Sequence, residues 1–548
     1  MFFKLKQIFA VWTQREKSFF FAALVIGVMS ALALAGVFIQ RSTLVVPAEG
    51  GEYTEGIVGQ PAIVNPVLAS TDTDKTLVRL LFANTEQISE KIDIEDGGRL
   101  WRLRLREGLR WSNGEKLTAD DIVFTVAQIQ NPEMQSPLFA SWQGITVGRE
   151  SELEVRFQLI APYPFFIDSL RMLYAVPKHL FADIPPTNWK LSGYNLQPVG
   201  SGPYAFAHMD KQPNGFISSY HLKTNPEFGG EKPLIPSVRL KFFLKSESLV
   251  QAFNGGQVNG FATLDPQLLS TVKRPYNLHA FDLPSYYAVF LNQSQNVALQ
   301  DPVVRRALAA ATDRERLIQE VFAGRATPIV GPVLPAVTGD NPSSQTPDVA
   351  AITADLEEAS WIPGENGRRE KKSRAGVTPL QLTLITPRIP FLLETAELLA
   401  EDWRKIGAEV QIAELPPADV LSQTVKTRDY QALLFGNVLN PAADLYSFWH
   451  SNERFFPGLN LALYQDSAAD RLIEASRKNF DPVKRLEELK DLQEIIQASQ
   501  PAIFLYSPRY LFVASKDLRG VETRLLAEGT ERFSDIGAWH LKTARTLR

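Results

Sequence analysis

The hydropathy pattern begins with an uncharged apolar run from Phe19 to Ile39, 21 residues long, preceded by Lys4, Lys6, Arg15 and Lys17. At a rise of about 1.5 Å per residue the run spans roughly 30 Å, the thickness of a bilayer's hydrocarbon core. It predicts one transmembrane helix, with the basic segment 1–18 in the cytoplasm and everything after residue 41 on the far side. A cleaved signal sequence is the competing reading, because Ala33-Leu34-Ala35 has the small-x-small pattern of a signal-peptidase site. The length of the run favours the anchor. Residues 40–52 follow as a polar linker containing Pro and Gly. No later stretch approaches the about 18 apolar residues of a span, and the remainder is expected to form a soluble body.

Shorter patterns follow. Trp101, Leu103 and Leu105 alternate with Arg102, Arg104 and Arg106, and Leu153, Val155, Phe157 and Leu159 alternate with polar residues. Both predict half-buried antiparallel strands, with the arginines on a solvated face. Between them, Thr118 with Asp121 three residues on opens a helix whose stripe is Ile122, Val123, Val126 and Ile129. Asp301 and Pro302 start another helix at 303–311, and Asp313 caps one that Gly324 ends. Later the chain changes character. A strand over 380–386, a helical face of Leu392, Ala396, Leu399, Trp403 and Ile406, and renewed alternation at Val410, Ile412 and Leu415 predict a βαβ unit with parallel strands. A helix over 418–426 and a buried strand over 430–435 extend the α/β pattern. Breaks fall at 338–347 and 363–376.

Composition narrows the chemistry. The 548 residues include no cysteine, which excludes disulfides, Cys-ligated metals, a thiol nucleophile and a thioether lipid anchor. A net charge of -4 lacks the surplus of positive charge that a general nucleic-acid binder needs. Phosphate-loop, dinucleotide, nucleophile-elbow and HExxH motifs are missing. The histidines 179, 208, 221, 279, 450 and 540 show no i, i+4 pair, so a compact metal site would need convergence over a distance. No catalytic residue, metal or cofactor is expected.

Several segments, in order, resemble the family 5 extracellular solute-binding proteins, the oligopeptide, dipeptide and nickel receptors of ABC importers. The most specific is LRLREGLRWSNGEKLTADDIVFTV, residues 103–126, in which Trp111, Asn113, Gly114, Thr118, Ala119 and Asp121 stand at matching spacings. GQPAIVNPVL (59–68), residues 72–82, VPKH (176–179), PVGSGPY (198–204), Leu291-Asn292, DPVVRRALAAATD (301–313) and PAIFLY (501–506) complete it. The residues have their own physical reading beside this. Asn113-Gly114 is a strong turn dipeptide joining strand to helix, and Gly200 and Gly202 around Ser201 allow close backbone approach by a neighbour or ligand.

The resemblance implies an α/β, two-lobed periplasmic-binding-protein-like class II fold with an extra domain, preceded by the N-terminal transmembrane helix. Domain I would hold 53–78, 195–285 and 516–548, domain II 79–194, and domain III 286–515. Crossings near 283–291 and 505–513 would form a hinge. The implied function is the substrate-binding component of an ABC importer, capturing an oligopeptide-like or other extended polar solute for a membrane permease. A membrane-tethered peptide sensor or chaperone-like surface protein, and a nickel or metal-chelate receptor, are the alternatives. The partners expected are the solute, permease subunits and the membrane, without nucleic acid, and the expected state is a monomer. Family peptide receptors hold the peptide amine with an aspartate in a domain III loop, which corresponds to 436–449 here. Asn440 stands at or near that position and Asp444 lies four residues on, so either Asp444 takes over or the ligand is not an ordinary free-amine peptide. Tyr286, Tyr287, Tyr446 and Trp449 are candidate aromatic walls, and Gly200 and Ser201 complete the candidate ligand-binding set.

Overall fold

The computed structural model describes residues 12–340, 346–364, 367–374, 376–440 and 443–547. Lys4 and Lys6 of the basic segment, parts of both predicted breaks, and Pro441 and Ala442 of the expected ligand loop lie outside them.

The apolar run forms the helix Gln14–Ser42, opened by a capping box between Thr13 and Glu16. Its Gln14–Leu34 stretch is long and apolar enough to cross a membrane, and none of it is buried against the body. The segment read as a linker does not run free. Thr43–Ala48 pairs antiparallel with Lys542–Leu547, so the two ends of the body meet at the foot of the helix. Val45 and Val46, both β-branched, suit that strand.

Two large sheets carry the body. The first has seven strands in the order Tyr276–Phe281, Tyr510–Ser515, Gly260–Thr263, Glu52–Val58, Ser237–Phe243, Ile217–Thr224 and Tyr204–Lys211. The second has six: Ala326–Pro328, Ala502–Pro508, Ser285–Leu291, Ala432–Val438, Gln381–Pro387 and Glu409–Leu415. The chain passes between them twice, through Asp282–Pro284 and through Arg509. An ion pair of 3.3 Å between Arg509 Nε and Asp282 Oδ1 spans the two crossings. Tyr510–Ser515, grouped by the sequence with residues 286–515, is instead hydrogen-bonded on both sides within the first sheet. Leu511 to Ala514 are all buried, and a run apolar on both faces carries no sign of which sheet receives it.

A four-stranded sheet, Ser89–Glu95, Leu100–Leu105, Glu154–Gln158 and Thr146–Arg149, is antiparallel throughout. The two alternating patterns pair directly, with Trp101 opposite Phe157 and Leu103 opposite Val155. The helix Ala119–Ile129 packs over them, its Thr118 N–H bound to Asp121 at 2.9 Å. This sheet and the first share one core, in which Tyr53, Trp101, Trp111, Phe512 and Trp539 are all buried.

The βαβ unit is present as Gln381–Pro387, Pro390–Lys405 and Glu409–Leu415, with parallel strands. Two neighbouring expectations shift. The helix over 418–426 is a short turn at Pro417–Asp419 followed by a π-helical stretch, Val420–Val425, a distinction of hydrogen-bond register that apolar spacing does not encode. The strand over 430–435 is Ala432–Val438, because the Tyr430 N–H turns back onto the Arg428 carbonyl at 3.2 Å, after Arg428 at φ +61°.

Candidate functional site: a cavity between the lobes

A cavity of about 500 Å³ lies where the four-stranded unit faces the six-stranded lobe. Leu138, Trp142, Tyr163, Phe165, Asp168, Arg171 and Met172 line one side, Leu439 and Asn440 the other, and Leu525, Ala527 and Glu531 from the C-terminal segment close the floor. Its size falls within the roughly 300–1,000 Å³ of ordinary ligand sites.

The first wall is built by a proline-bracketed turn. Pro162 and Pro164 restrict the backbone on either side of Tyr163, and the short helix Phe166–Arg171 then presents Asp168 and Arg171 together. Asp168 Oδ1 is 3.5 Å from Arg171 Nη1, while Oδ2 is buried without a hydrogen-bond partner. Burial pushes the Asp168 carboxyl above its ordinary range; Arg171 opposes that push and Glu531 adds to it. Asp168, Glu531 and Arg171 thus bring two carboxyl groups and one guanidinium to the lining of the space, a balance that favours a cationic group on a solute.

Contacts between the lobes form the rim. The Tyr163 hydroxyl donates to Asp444 Oδ2 at 2.8 Å, and Arg477 Nε donates to the same oxygen at 3.1 Å. Burial, followed by the Asp444 charge, keeps the Tyr163 phenol protonated far above neutral pH. The Arg477 guanidinium lies 4.4 Å from the Tyr446 ring centre and 5.2 Å from that of Tyr163. Further along, Phe480 packs on Trp101 with ring centres 6.3 Å apart, and Arg485 lies 5.4 Å from the Phe165 ring centre. Gly98, at φ +95°, leaves the room that Phe480 needs, since a Cβ there would fall 2.1 Å from the ring.

The candidate residues separate into groups. Asn440 lines the cavity, its Oδ1 accepting from the Asp444 N–H at 2.7 Å. Asp444 and Tyr446 belong to the rim, and Asp444 is committed to Tyr163 and Arg477. Tyr286 and Trp449 lie in the core of the second lobe, each fully buried, with the Trp449 Nε1–H donating to the Tyr286 hydroxyl at 3.0 Å. Tyr287 lines a separate cavity of about 290 Å³ beside the crossings, with Phe322 and Phe391. Gly200 and Ser201 pack against the end of the helix Asp72–Leu81: Ser201 Oγ accepts from the Ala83 N–H, and a Cβ on Gly200 would sit 1.8 Å from the Leu81 carbonyl oxygen. Neither is among the residues lining the inter-lobe cavity. Tyr163, Asp168, Arg171, Arg477 and Glu531 were not singled out by the sequence. The one signal for Asp168 is a lone carboxylate just after Phe165-Phe166-Ile167.

Residues 79–455 match the family described as bacterial extracellular solute-binding proteins, family 5 Middle. The chain belongs to this family. The oligopeptide-binding protein AppA of Bacillus subtilis is 25% identical over 497 residues, covering 86% of this chain and 89% of AppA. The structure of that protein in complex with a nonapeptide has the same fold, with a TM-score of 0.67 at 22% identity over 91% of this chain and 100% of that one. NikZ from Campylobacter jejuni in complex with Ni(L-His) also shares it, with a TM-score of 0.68 at 22% identity, covering 89% and 99%. This chain is thus a solute-binding protein of the peptide and nickel ABC-importer family, with a two-lobed periplasmic-binding-protein fold.

Proposed function

We propose that this family 5 protein captures a peptide-like solute bearing a free amine in the inter-lobe cavity and delivers it to an ABC permease. The observation that carries the reading is the buried carboxylate oxygen of Asp168 left without a hydrogen-bond partner, in a residue that lines a cavity between both lobes. A buried carboxylate with an open acceptor gains most from an ammonium donor, because charge-assisted hydrogen bonds strengthen as water is excluded. The amine-binding acid then comes from the four-stranded unit, and Asn440 in the second lobe meets the solute with a neutral amide. On this reading the departure at residue 440 goes with a free amine held from the opposite wall. Asp444 serves closure.

The protein acts in this reading by stoichiometric binding, without catalysis or cofactor, as a monomer tethered by the helix Gln14–Ser42. Hinge motion at Asp282–Pro284 and Arg509 would open the rim, and the solute favours the closed state because only there does it touch both walls. Among the described residues no histidine lines the cavity, so a nickel chelate would find no imidazole there.

Native mass spectrometry of the full chain, released from its own membrane in mild detergent, tests the proposal. One peptide-like mass per chain is expected. A different solute class at one per chain would contradict it.

A further inference from the structure

Away from the cavity, the edge hairpin of the seven-stranded sheet brings together residues that the sequence spacing kept apart. Strands Tyr204–Lys211 and Ile217–Thr224 pair so that His208 stands opposite His221 and Asp210 opposite Ser219. His221 in turn stands opposite Arg239 on the next strand. All five side chains share one face. The two imidazoles stack with ring centres 4.0 Å apart and planes 13° from parallel. One donor atom from each of His208, Asp210 and His221 lies within 4.8 Å of the others.

We propose that His208, Asp210 and His221 form a binding site for a divalent transition-metal ion, with its remaining coordination position open to solvent. Two imidazoles and one carboxylate suit zinc or nickel rather than calcium or magnesium, which need shells of oxygen. Tetrahedral ligands at about 2.1 Å from a metal lie about 3.4 Å from one another. The His221 Nε2 and Asp210 Oδ2 atoms are already 2.9 Å apart, so rotation of the exposed His208 ring completes the set. The Ser219 hydroxyl donates to Asp210 Oδ2 and fixes the orientation of the carboxylate. Asp210 is therefore oriented before any ion arrives.

Arg239 sets the affinity. Its Nε–H points at His221 Nδ1 from 3.3 Å, so the neutral ring carries its proton on Nε2, facing Asp210. A metal on Nε2 moves that proton to Nδ1, where it meets the Arg239 donor. Arg239 must then turn away, toward Glu52, with which it already pairs at 2.9 Å. Arg239 thus opposes the ion both by its charge and by the tautomer it imposes.

The test is calorimetric titration of the full chain, without a polyhistidine tag, with zinc chloride and with nickel chloride. One ion per chain is expected, with affinity reduced at least about tenfold in His208→Ala and in His221→Ala. Arg239→Gln should bind severalfold more tightly than the wild type, an effect that scattered surface binding would not show. His208 and Asp210 are exposed, so an unchanged melting temperature of ion-free His208→Ala separates ligand loss from misfolding. No saturable binding of either ion, or equal affinity in the His208→Ala, His221→Ala double variant, overturns the proposal.

Discussion

The hydroxyl of Tyr163, on the four-stranded unit, donates a 2.8 Å hydrogen bond to the carboxylate of Asp444 on the opposite lobe. The bond crosses the rim of the cavity, and Arg477 completes it from the second lobe. Tyr163→Phe keeps the ring and removes the bond, so the closed state should lose population. A hydrogen bond to a charged group is worth about 1.5–3 kcal/mol, and solute affinity should fall by roughly tenfold or more in calorimetry. If Asp444 instead held the ligand amine, Tyr163→Phe would leave affinity unchanged or improve it.

Asp168 is expected to reveal its burial through pH. Its folded pKa is raised above that of the unfolded chain, so its contribution to stability is greatest below the unfolded value of about 3.9 and is lost as pH rises through the folded value. Asp168→Asn should therefore raise the melting temperature of the solute-free protein at neutral pH. That gain should shrink as pH falls toward about 4. Thermal melts across pH check both statements, and a gain that persists at low pH would place the effect elsewhere.

Arg532 and Glu55 form an ion pair with Nη2–Oε1 at 2.7 Å, their side chains 3% and 0% exposed. It joins the C-terminal segment to the strand Glu52–Val58, and the Arg532 guanidinium also lies 4.2 Å from the Phe533 ring centre. Arg532→Met leaves a buried carboxylate uncompensated and should cost about 3–5 kcal/mol in denaturant unfolding. The double variant Glu55→Gln, Arg532→Met should recover part of that loss, because the stranded charge is gone.

Gly200 distinguishes architecture from recognition. Its missing side chain admits the Leu81 carbonyl, so Gly200→Ala must displace backbone and should destabilise the protein by about 1–3 kcal/mol or more. Gly193 has no atom within 4 Å of its hypothetical Cβ, and Gly193→Ala provides the matched control. Melting temperatures of the two variants make the comparison.

Local pattern carried much of the fold into view. Trp101 and Phe157 alternate with polar neighbours because one face of their sheet is buried, and Leu399 and Trp403 repeat at helical spacing because one stripe of their helix is. The sheet to which Leu511 and Phe512 belong was not legible, since that choice depends on partners hundreds of residues away. The site was less visible still. Tyr286 and Trp449 share the chemistry of a ligand-contacting aromatic, but their hydrogen bond to each other lies inside the core. Asp168 and Glu531 stand 363 positions apart, and only the core that the four-stranded unit shares with the C-terminal segment brings them to one cavity. The signature around Trp111 and Asp121 was the clearest mark of family, yet it builds the scaffold: the Asp121 carboxylate binds the Thr118 and Lys178 N–H groups.

The proposed site holds a free amine against Asp168 in the inter-lobe cavity. Calorimetric titration of the full chain with a graded series of peptides, each with a free and an N-acetylated amino terminus, tests it most directly. Saturable binding of one peptide per chain is expected, abolished by acetylation and weakened in Asp168→Asn. Equal affinity for free and acetylated peptides, or no binding of any peptide, would contradict it.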